Sequence, residues 1–492
     1  MTDTTVESPP NDAGTIGRKA AHGLGWGLAG NVGVKLLSFA TSLTLARLLV
    51  PDDFGAYAVA LAATQLVIHI NDLGLIPAVI QWRGRLEEIA PTASTIAAGF
   101  SAVLYAGFWF FAPVFAELSG VPAATTAIRL FTLTILVDGI TAVRSAYLLR
   151  TFQQRRYIQA NLAGTLANGV AGIGLAIGGA DALALAGGQV AASVTTGVLV
   201  FCWARLPVKL GIDRAIAKRL MAYGLPLAAG LGIESVLEQA DKVVLGRFMG
   251  ATVLGFYLLA YSISSWAPGM IGSAIRYVAL PSFARLSEKD SDSLSQGVQR
   301  VIPLMVLGLV PIAVLVAVLA APMVTLLYGA RWLPATGPLR FLMILMVVRM
   351  LTGIAMDVLM STGATRWTLL INVGWTAALL PALWLGTQLD GGRGVAVAEA
   401  AVGVAVAIPL TVMALRRAGV RLDPIPRSLV RPLFAGLLCA AVTLAIAAVT
   451  SGNAYAQLAV SGTAGMAVYV VAAVPRSQMR TWLTAIRGAA AR

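Results

Sequence analysis

The stretch "LARLLVPDDFGAYAVA" (residues 45–60) decides the fold, because the chain writes a version of it twice. Residues 245–260 read "LGRFMGATVLGFYLLA", and a shift of 200 lays Arg47 on Arg247, Gly55 on Gly255, Tyr57 on Tyr257 and Ala60 on Ala260. The correspondence resumes past the next apolar segment, where Arg85, Leu86 and Glu88 fall on Arg285, Leu286 and Glu288. Apolar helices share Leu, Ala and Gly by chance, but Arg, Gly and Tyr in register argue for a true repeat. Six expected crossings separate the copies. An even number preserves orientation, so the two halves are parallel and related by an axis normal to the membrane.

Composition explains why a membrane enters. The chain has 492 residues, is 58% hydrophobic and only 12% charged, with a mean hydropathy of +0.81. A soluble core cannot hide that much apolar surface, so much of it must face lipid. Uncharged runs at Tyr157–Ala180, Ala182–Ala204, Ile302–Ala330, Trp367–Leu389 and Pro432–Pro475 are each long enough to cross as a helix, the last of them twice. Fourteen spans are expected, near 24–46, 54–78, 92–116, 124–148, 158–180, 182–204, 221–245, 252–280, 301–326, 337–360, 367–387, 395–415, 432–450 and 455–475.

These spans divide the chain into a polar tail (1–17), a first six-helix lobe (18–205) and a linker (206–220). A second lobe (221–415), a basic loop (416–431), a helix pair (432–475) and a basic tail (476–492) follow. Residues 1–17 lack the basic start and apolar stretch of a secretory signal and read as a disordered cytoplasmic tail. The net charge of +14 is distributed by side rather than massed in one patch. Arg83, Arg85, Arg150, Arg155, Arg156, Arg205, Lys209, Arg214, Lys218, Arg219, Arg416, Arg417, Arg421, Arg427 and Arg431 fall in connectors of one side, while the other side holds Arg47, Arg247, Arg331 and Arg393. That is the positive-inside pattern; it predicts both termini in the cytoplasm and argues against nucleic acid as a partner.

The pattern Ala-Arg-Leu-Leu-x-Pro-x-Asp-Phe-Gly-x-Tyr (Ala46–Tyr57), followed by Asp72–Leu75 (Asp-Leu-Gly-Leu), resembles the first hairpin of Wzx-type polysaccharide flippases. That branch belongs to the superfamily that also contains the MATE drug exporters and the lipid II flippases. "DKVVLGRFMGATVLGFY" (Asp241–Tyr257) is similar to the family's seventh-helix hairpin. The resemblance implies an all-α fold of two six-helix lobes plus a C-terminal pair around a V-shaped central cavity. It implies translocation of a polyprenyl-diphosphate-linked oligosaccharide across the bacterial cytoplasmic membrane by alternating access, with membrane lipids and a polysaccharide polymerase as further partners.

Each copy of the repeat is expected to be the tight outer turn of its lobe's first helical hairpin, where Pro51 stops the helix and Gly55 lets the chain re-enter closely. Tyr57 is expected at interfacial depth, and Arg47 and Arg247 to cap carbonyls, snorkel to headgroups or grip substrate.

Ionisable groups inside a span are costly and invite a reason. On the first span Asn31, Lys35, Ser38 and Ser42 share a helical face; the shift of 200 sets Leu231, Ser235, Glu238 and Lys242 opposite them. Gln65, His69 and Asp72 line a face of the second span. A diphosphate needs positioned cations, for which the candidates are Lys35, Arg276, Lys242, Arg349 and Arg144. Glu234, Glu238 and Asp241 share a face of the seventh span, with Lys242 placed to pair with Glu238. They read either as a coupling site for Na⁺ or a proton, or as a structural lock. Arg349, Gly353 and Asp357 share a face, so Arg349 also reads as an ion-pair partner within the bundle.

Cys202 and Cys439 read as small core residues. His22 and His69 stand apart, and neither a nucleotide-binding loop nor a nucleophile elbow occurs, so neither a metal site nor an enzyme is expected. Three readings remain: a lipid-linked oligosaccharide flippase, a cation-coupled small-molecule exporter of MATE type, and a non-transporting scaffold. Cationic cavity candidates disfavour the second, and intramembrane charges disfavour the third.

Overall fold

The structure, a computed structural model, describes residues 13–71, 79, 86–151, 153–206, 209, 211–287, 291–450 and 452–473. Side chains are described from residue 30 onward, except at 69–70, 223, 226–227, 229–231, 233–234, 237, 267–287, 291, 293 and 365. The Asp72–Leu75 element and the side chains of His69, Glu234 and Arg276 thus lie outside the described residues.

All regular structure among them is helical. Lobe one holds α1 (Ala13–Leu48), α2 (Pro51–Asn71), α3 (Leu86–Leu118), the short α4 (Thr125–Phe131), α5 (Leu133–Arg150), α6 (Gln154–Ile177) and α7 (Ala182–Trp203). Lobe two holds α8 (Arg214–Ser287), α9 (Ser291–Val318), α10 (Ala320–Leu327), α11 (Thr336–Ser361), α12 (Thr365–Val402) and α13 (Ile408–Arg417). A last unit, α14 (Ile425–Val449), α15 (Ala454–Ala456) and α16 (Gly462–Ala473), packs on α9. Helix α1 begins at Ala13, inside the stretch read as a disordered tail.

Among the described residues ten stretches are long and apolar enough to cross a membrane, and the longest, Arg366–Arg417, turns back at Asp390–Gly391. Large apolar side chains such as Phe110, Val170 and Leu437 face outward. An aqueous surface would not tolerate them in such number, whereas lipid does. The chain is a multi-pass helical membrane protein.

The repeated motif is the hinge of both lobes. In lobe one, Pro51 opens α2 with only Leu49 and Val50 between it and the end of α1, and Asp53 Oδ2 accepts the Val50 N–H at 3.0 Å. Helix α8 is folded back at Gly250 (φ 77°, ψ −175°), a backbone state that L side chains avoid. Its arms, 214–249 and 251–287, correspond to α1 and α2.

The two hinges meet. A Cβ on Gly55 would strike the Ala251 carbonyl oxygen, and a Cβ on Gly255 would strike that of Pro51. Because Ala251 is Pro51 shifted by 200, this contact is reciprocal, and the pseudo-twofold axis passes between the hinges. The Thr252 hydroxyl donates to Asp52 across the same axis.

The arginines of the motif are carbonyl caps, which decides among the three roles weighed for them. Arg47 Nε and a terminal nitrogen donate to the carbonyls of Leu327 and Leu326, both at 2.7 Å, at the end of α10. Arg247 reaches the Glu117 carbonyl near the end of α3 at 3.5 Å. Each lobe's hinge arginine therefore caps the other lobe's third crossing. Arg331 returns the contact to the carbonyls of Arg47 (2.7 Å) and Leu49 (3.2 Å), and buried Trp332 donates Nε1–H to Ala46 (2.8 Å). This hinge end of the bundle is closed, with one apolar core running through both lobes.

Candidate functional site

The polar residues that should not survive in an apolar bundle gather in lobe two. Asp241 and Lys242 come from the first arm of α8, Tyr257 and Tyr261 from the second, Arg349 from α11 and Glu399 from the far part of α12. Asp241, Lys242, Tyr257 and Glu399 are each 2% exposed or less. Tyr257 and Tyr261, four residues apart, share a face, and folding α8 back at Gly250 brings that face onto its own first arm.

Lys242 Nζ sits 3.2 Å from Asp241 Oδ1 and donates to the Glu238 carbonyl at 3.1 Å, with the Tyr261 ring centroid 4.5 Å away. The Tyr257 hydroxyl lies 2.9 Å from Asp241 Oδ2 and 2.8 Å from Glu399 Oε2. Arg349 donates to the Tyr261 hydroxyl at 3.0 Å, and its other terminal nitrogen stands 3.8 Å from Glu399 Oε1. Four helical arms are thus joined through ionisable groups in a largely buried interior, where such contacts are strong and a missing partner is costly.

Several expectations are corrected here. Lys242 pairs with Asp241 and takes only the backbone oxygen of Glu238; its side chain runs back along the helix under the Asp241 carboxylate. Arg349, by contrast, meets Tyr261 and Glu399 of neighbouring helices, in keeping with its reading as an ion-pair partner within the bundle. Neither Tyr57 nor Tyr257 faces outward as an anchor: they are 8% and 0% exposed. Each hydroxyl finds its partner inside the bundle, so the ring needs no water for its polar tip. Cys439 is buried, but Cys202 is exposed.

The other candidates separate. Arg144 is buried, its guanidinium 3.9 Å from the Phe201 ring centroid and 3.4 Å from the Leu206 carbonyl, which ties α5 to the end of α7. Lys35 is half-buried on α1 and forms no ion pair among the described residues; its carbonyl accepts Trp266 Nε1–H at 3.2 Å across the lobes. Asn31, Ser42, Gln65 and Glu238 are half-buried and Ser38 is exposed.

Sequence reasoning missed Glu399, Tyr261 and Gln189. Glu399 is the one acid between Asp390 and Asp423, and a lone carboxylate in an apolar run is a signal in itself. Gln189 repeats the geometry in lobe one: its Nε2–H donates to the Tyr57 hydroxyl oxygen at 3.1 Å. Gln189 and Glu399 correspond at a shift of 210, so the register of 200 drifts between the first and last helices of a lobe.

A family described as polysaccharide biosynthesis protein matches residues 44–337, more than half of the chain. The chain belongs to this family. The matched region of this polysaccharide biosynthesis protein runs from the first hinge through Trp332, and so takes in the interlobe closure. Succinoglycan biosynthesis transport protein ExoT of Rhizobium meliloti (strain 1021) is 26% identical over 66% of this chain and 65% of its own length. The chain therefore matches just under two thirds of that relative. Lipopolysaccharide biosynthesis protein WzxC of Escherichia coli (strain K12) is 22% identical over 77% of this chain and 78% of its own. The fold is shared with lipid II flippase MurJ in an inward closed conformation (TM-score 0.72, 13% identity, 90% of this chain and 96% of that one). It is shared too with an inward-facing multidrug resistance MATE family transporter of the MOP superfamily (TM-score 0.62, 15% identity, 78% and 94%).

Proposed function

We propose that this polysaccharide biosynthesis protein is a flippase that carries polyprenyl-diphosphate-linked oligosaccharide across the bacterial cytoplasmic membrane by alternating access. The carrying observation is the reciprocal closure at the hinge end. Two parallel lobes meet through Gly55, Gly255, Thr252 and Asp52 on one pseudo-twofold axis, an interface that opens by rocking one lobe against the other. The relatives named for succinoglycan transport and lipopolysaccharide biosynthesis support the substrate class.

With fourteen crossings and both termini cytoplasmic, the hinge end faces outward, and this state is closed to the outside. No chemical step is required of the chain, and a polysaccharide polymerase receives the product. Lys35, half-buried and without an ion pair among the described residues, is assigned to the diphosphate together with Arg276, whose side chain lies outside the described residues, and Asn31, Ser38, Ser42 and Gln65 are assigned as polar groups of the cavity. Lys242 and Arg349 are already engaged by carboxylates and tyrosines, and Arg144 by Phe201. The coupling ion, Na⁺ or a proton, acts on the Asp241 cluster of lobe two, with Glu234 and Glu238 along the same helix.

Translocation of radiolabelled lipid-linked oligosaccharide in proteoliposomes tests this reading. Lys35→Ala is expected to lose most transport, because a charge-assisted phosphate contact of roughly 1.5–3 kcal/mol disappears. Translocation by the variant at the wild-type rate would remove Lys35 from the substrate site.

A further inference from the structure

The bridge at Tyr257 is one hydrogen short. Its hydroxyl makes two hydrogen-bond-length contacts, 2.9 Å to Asp241 Oδ2 and 2.8 Å to Glu399 Oε2. A phenol carries one proton and donates once, and an ionised carboxylate only accepts. With both acids ionised, one contact would press lone pairs together, with no compensating donor there among the described residues. We propose that Asp241, Tyr257 and Glu399 form a proton-binding site: Glu399 Oε2–H donates to the Tyr257 oxygen, and Tyr257 donates to the Asp241 carboxylate. The proposal rests on the flippase reading above and deepens it by naming the coupling ligand.

The surroundings put the proton on Glu399. Asp241 Oδ1 already receives the Lys242 ammonium at 3.2 Å and the Lys242 backbone N–H at 2.8 Å, the environment of an ionised carboxylate. Glu399 Oε1 is buried with no hydrogen-bond partner among the described residues. An ionised Glu399 would draw Arg349 into direct contact near 2.8 Å. Instead the guanidinium stays 3.8 Å away and bonds Tyr261. The charged and titratable groups facing the bridge are then Asp241, Lys242 and Glu238 on the first arm of α8, Tyr257 and Tyr261 on the second, Arg349 on α11, and Glu399 itself. A metal ion would have to displace the Lys242 ammonium from Asp241.

Lobe one supplies the control. At the position of Glu399 it has Gln189, whose amide N–H donates to the Tyr57 oxygen. A protonated Glu399 donates to the Tyr257 oxygen in the same direction, so the two lobes share one hydrogen-bond pattern only while Glu399 keeps its proton. Release breaks the Oε2–H bond, gives the proton to water and leaves a carboxylate. That carboxylate repels Asp241 and attracts Arg349, shifting α12 relative to α8 and α11. A ligand that is held in one arrangement and lost in the other biases their equilibrium.

Infrared difference spectroscopy on the purified, lipid-reconstituted protein reads this proton directly. The wild type is expected to show the C=O stretch of a protonated carboxylic acid at neutral pH, shifted in D₂O. Glu399→Gln should abolish that band, and Tyr257→Phe should move it, as the acid loses its acceptor. A wild-type spectrum that Glu399→Gln leaves unchanged would overturn the proposal. In proteoliposomes the wild type is expected to follow a pH gradient irrespective of Na⁺, and Glu399→Gln to lose the pH dependence; transport that follows Na⁺ instead also overturns it. A Glu399 band in a protein that moves no lipid-linked oligosaccharide would sink the flippase reading and leave the proton site standing.

Discussion

The same tyrosine sits at the heart of each lobe, in two different chemistries. Tyr57 is surrounded by neutral groups: Gln189 donates to its oxygen at 3.1 Å, and Phe131 stacks on its ring with centroids 5.5 Å apart. Tyr257 is surrounded by ionisable groups, with Asp241, Glu399, Lys242 and Arg349 in one connected cluster. Where lobe two has Asp241 and Lys242, lobe one has Thr41 and Ser42. The backbone repeat is parallel and close, so fold alone demands none of these charges. The neutral surroundings of Tyr57 show that the scaffold can hold this tyrosine without charge, and the ionisable groups around Tyr257 are an addition peculiar to lobe two.

The largest expected effect tests that addition. Lys242→Met removes the counter-ion of a fully buried carboxylate, and breaking such a pair costs about 3–5 kcal/mol. Ser42→Met, at the matching place in lobe one, removes no charge from a half-buried position and is expected to cost far less. Thermal unfolding of both variants in the same detergent makes the comparison. Equal losses would mean that Lys242 matters for packing rather than for charge.

How much of this was legible in the sequence follows from the distance over which each feature is encoded. The hinge was legible, since Pro51, Gly55 and the arginines act within a few residues of one another and recur at a fixed shift. The apolar runs announced the membrane because lipid imposes its demand locally, on each span. The charged cluster was only half legible. Asp241 and Lys242 stood out as ionisable groups in a span, but spacing along one helix suggested Glu238 as the partner of Lys242. The real partnerships run between helices, through Tyr257, Tyr261, Arg349 and Glu399, and no periodicity within a helix encodes them. The buried hydrogen bond of Tyr57 was not legible because an aromatic ring with a polar tip suits both an outward anchor and a buried hydrogen bond, and only the fold shows which partner it takes. Gln189 escaped because the shift of 200 becomes 210 by the sixth helix of the lobe.

A middle-sized effect tests the symmetry of the hinge itself. Gly55→Val and Gly255→Val each push a side chain into a backbone carbonyl of the opposite lobe. Overpacking of this kind costs about 1–3 kcal/mol, and the strain falls on the closed arrangement. Cross-linking between cysteines introduced at Asp52 and Thr252 reports closure, and both variants should lower its yield to a similar degree. A loss confined to one of them would show that the reciprocity is geometric but not energetic.

The smallest expected effect lies at the hinge surface, where the lobes differ again: Asp52 and Asp53 stand where lobe two has Thr252 and Val253. Partial burial, together with the carboxylates of Asp181 and Asp52, pushes the Asp53 carboxyl above its ordinary value of 3.8, although the Val50 N–H bond opposes the shift. A carboxyl with a raised folded value binds its proton more tightly in the folded protein. Its contribution to stability is therefore complete below 3.8 and is lost as pH rises through the raised value. Asp53→Asn keeps an oxygen for the Val50 N–H and removes the titration. Its unfolding temperature should fall less than that of the wild type as pH rises from 3.8 toward neutrality, the difference being small because Asp53 is only partly buried. Identical pH profiles for the two proteins would show that the acidic hinge of lobe one is as neutral energetically as its threonine and valine counterpart.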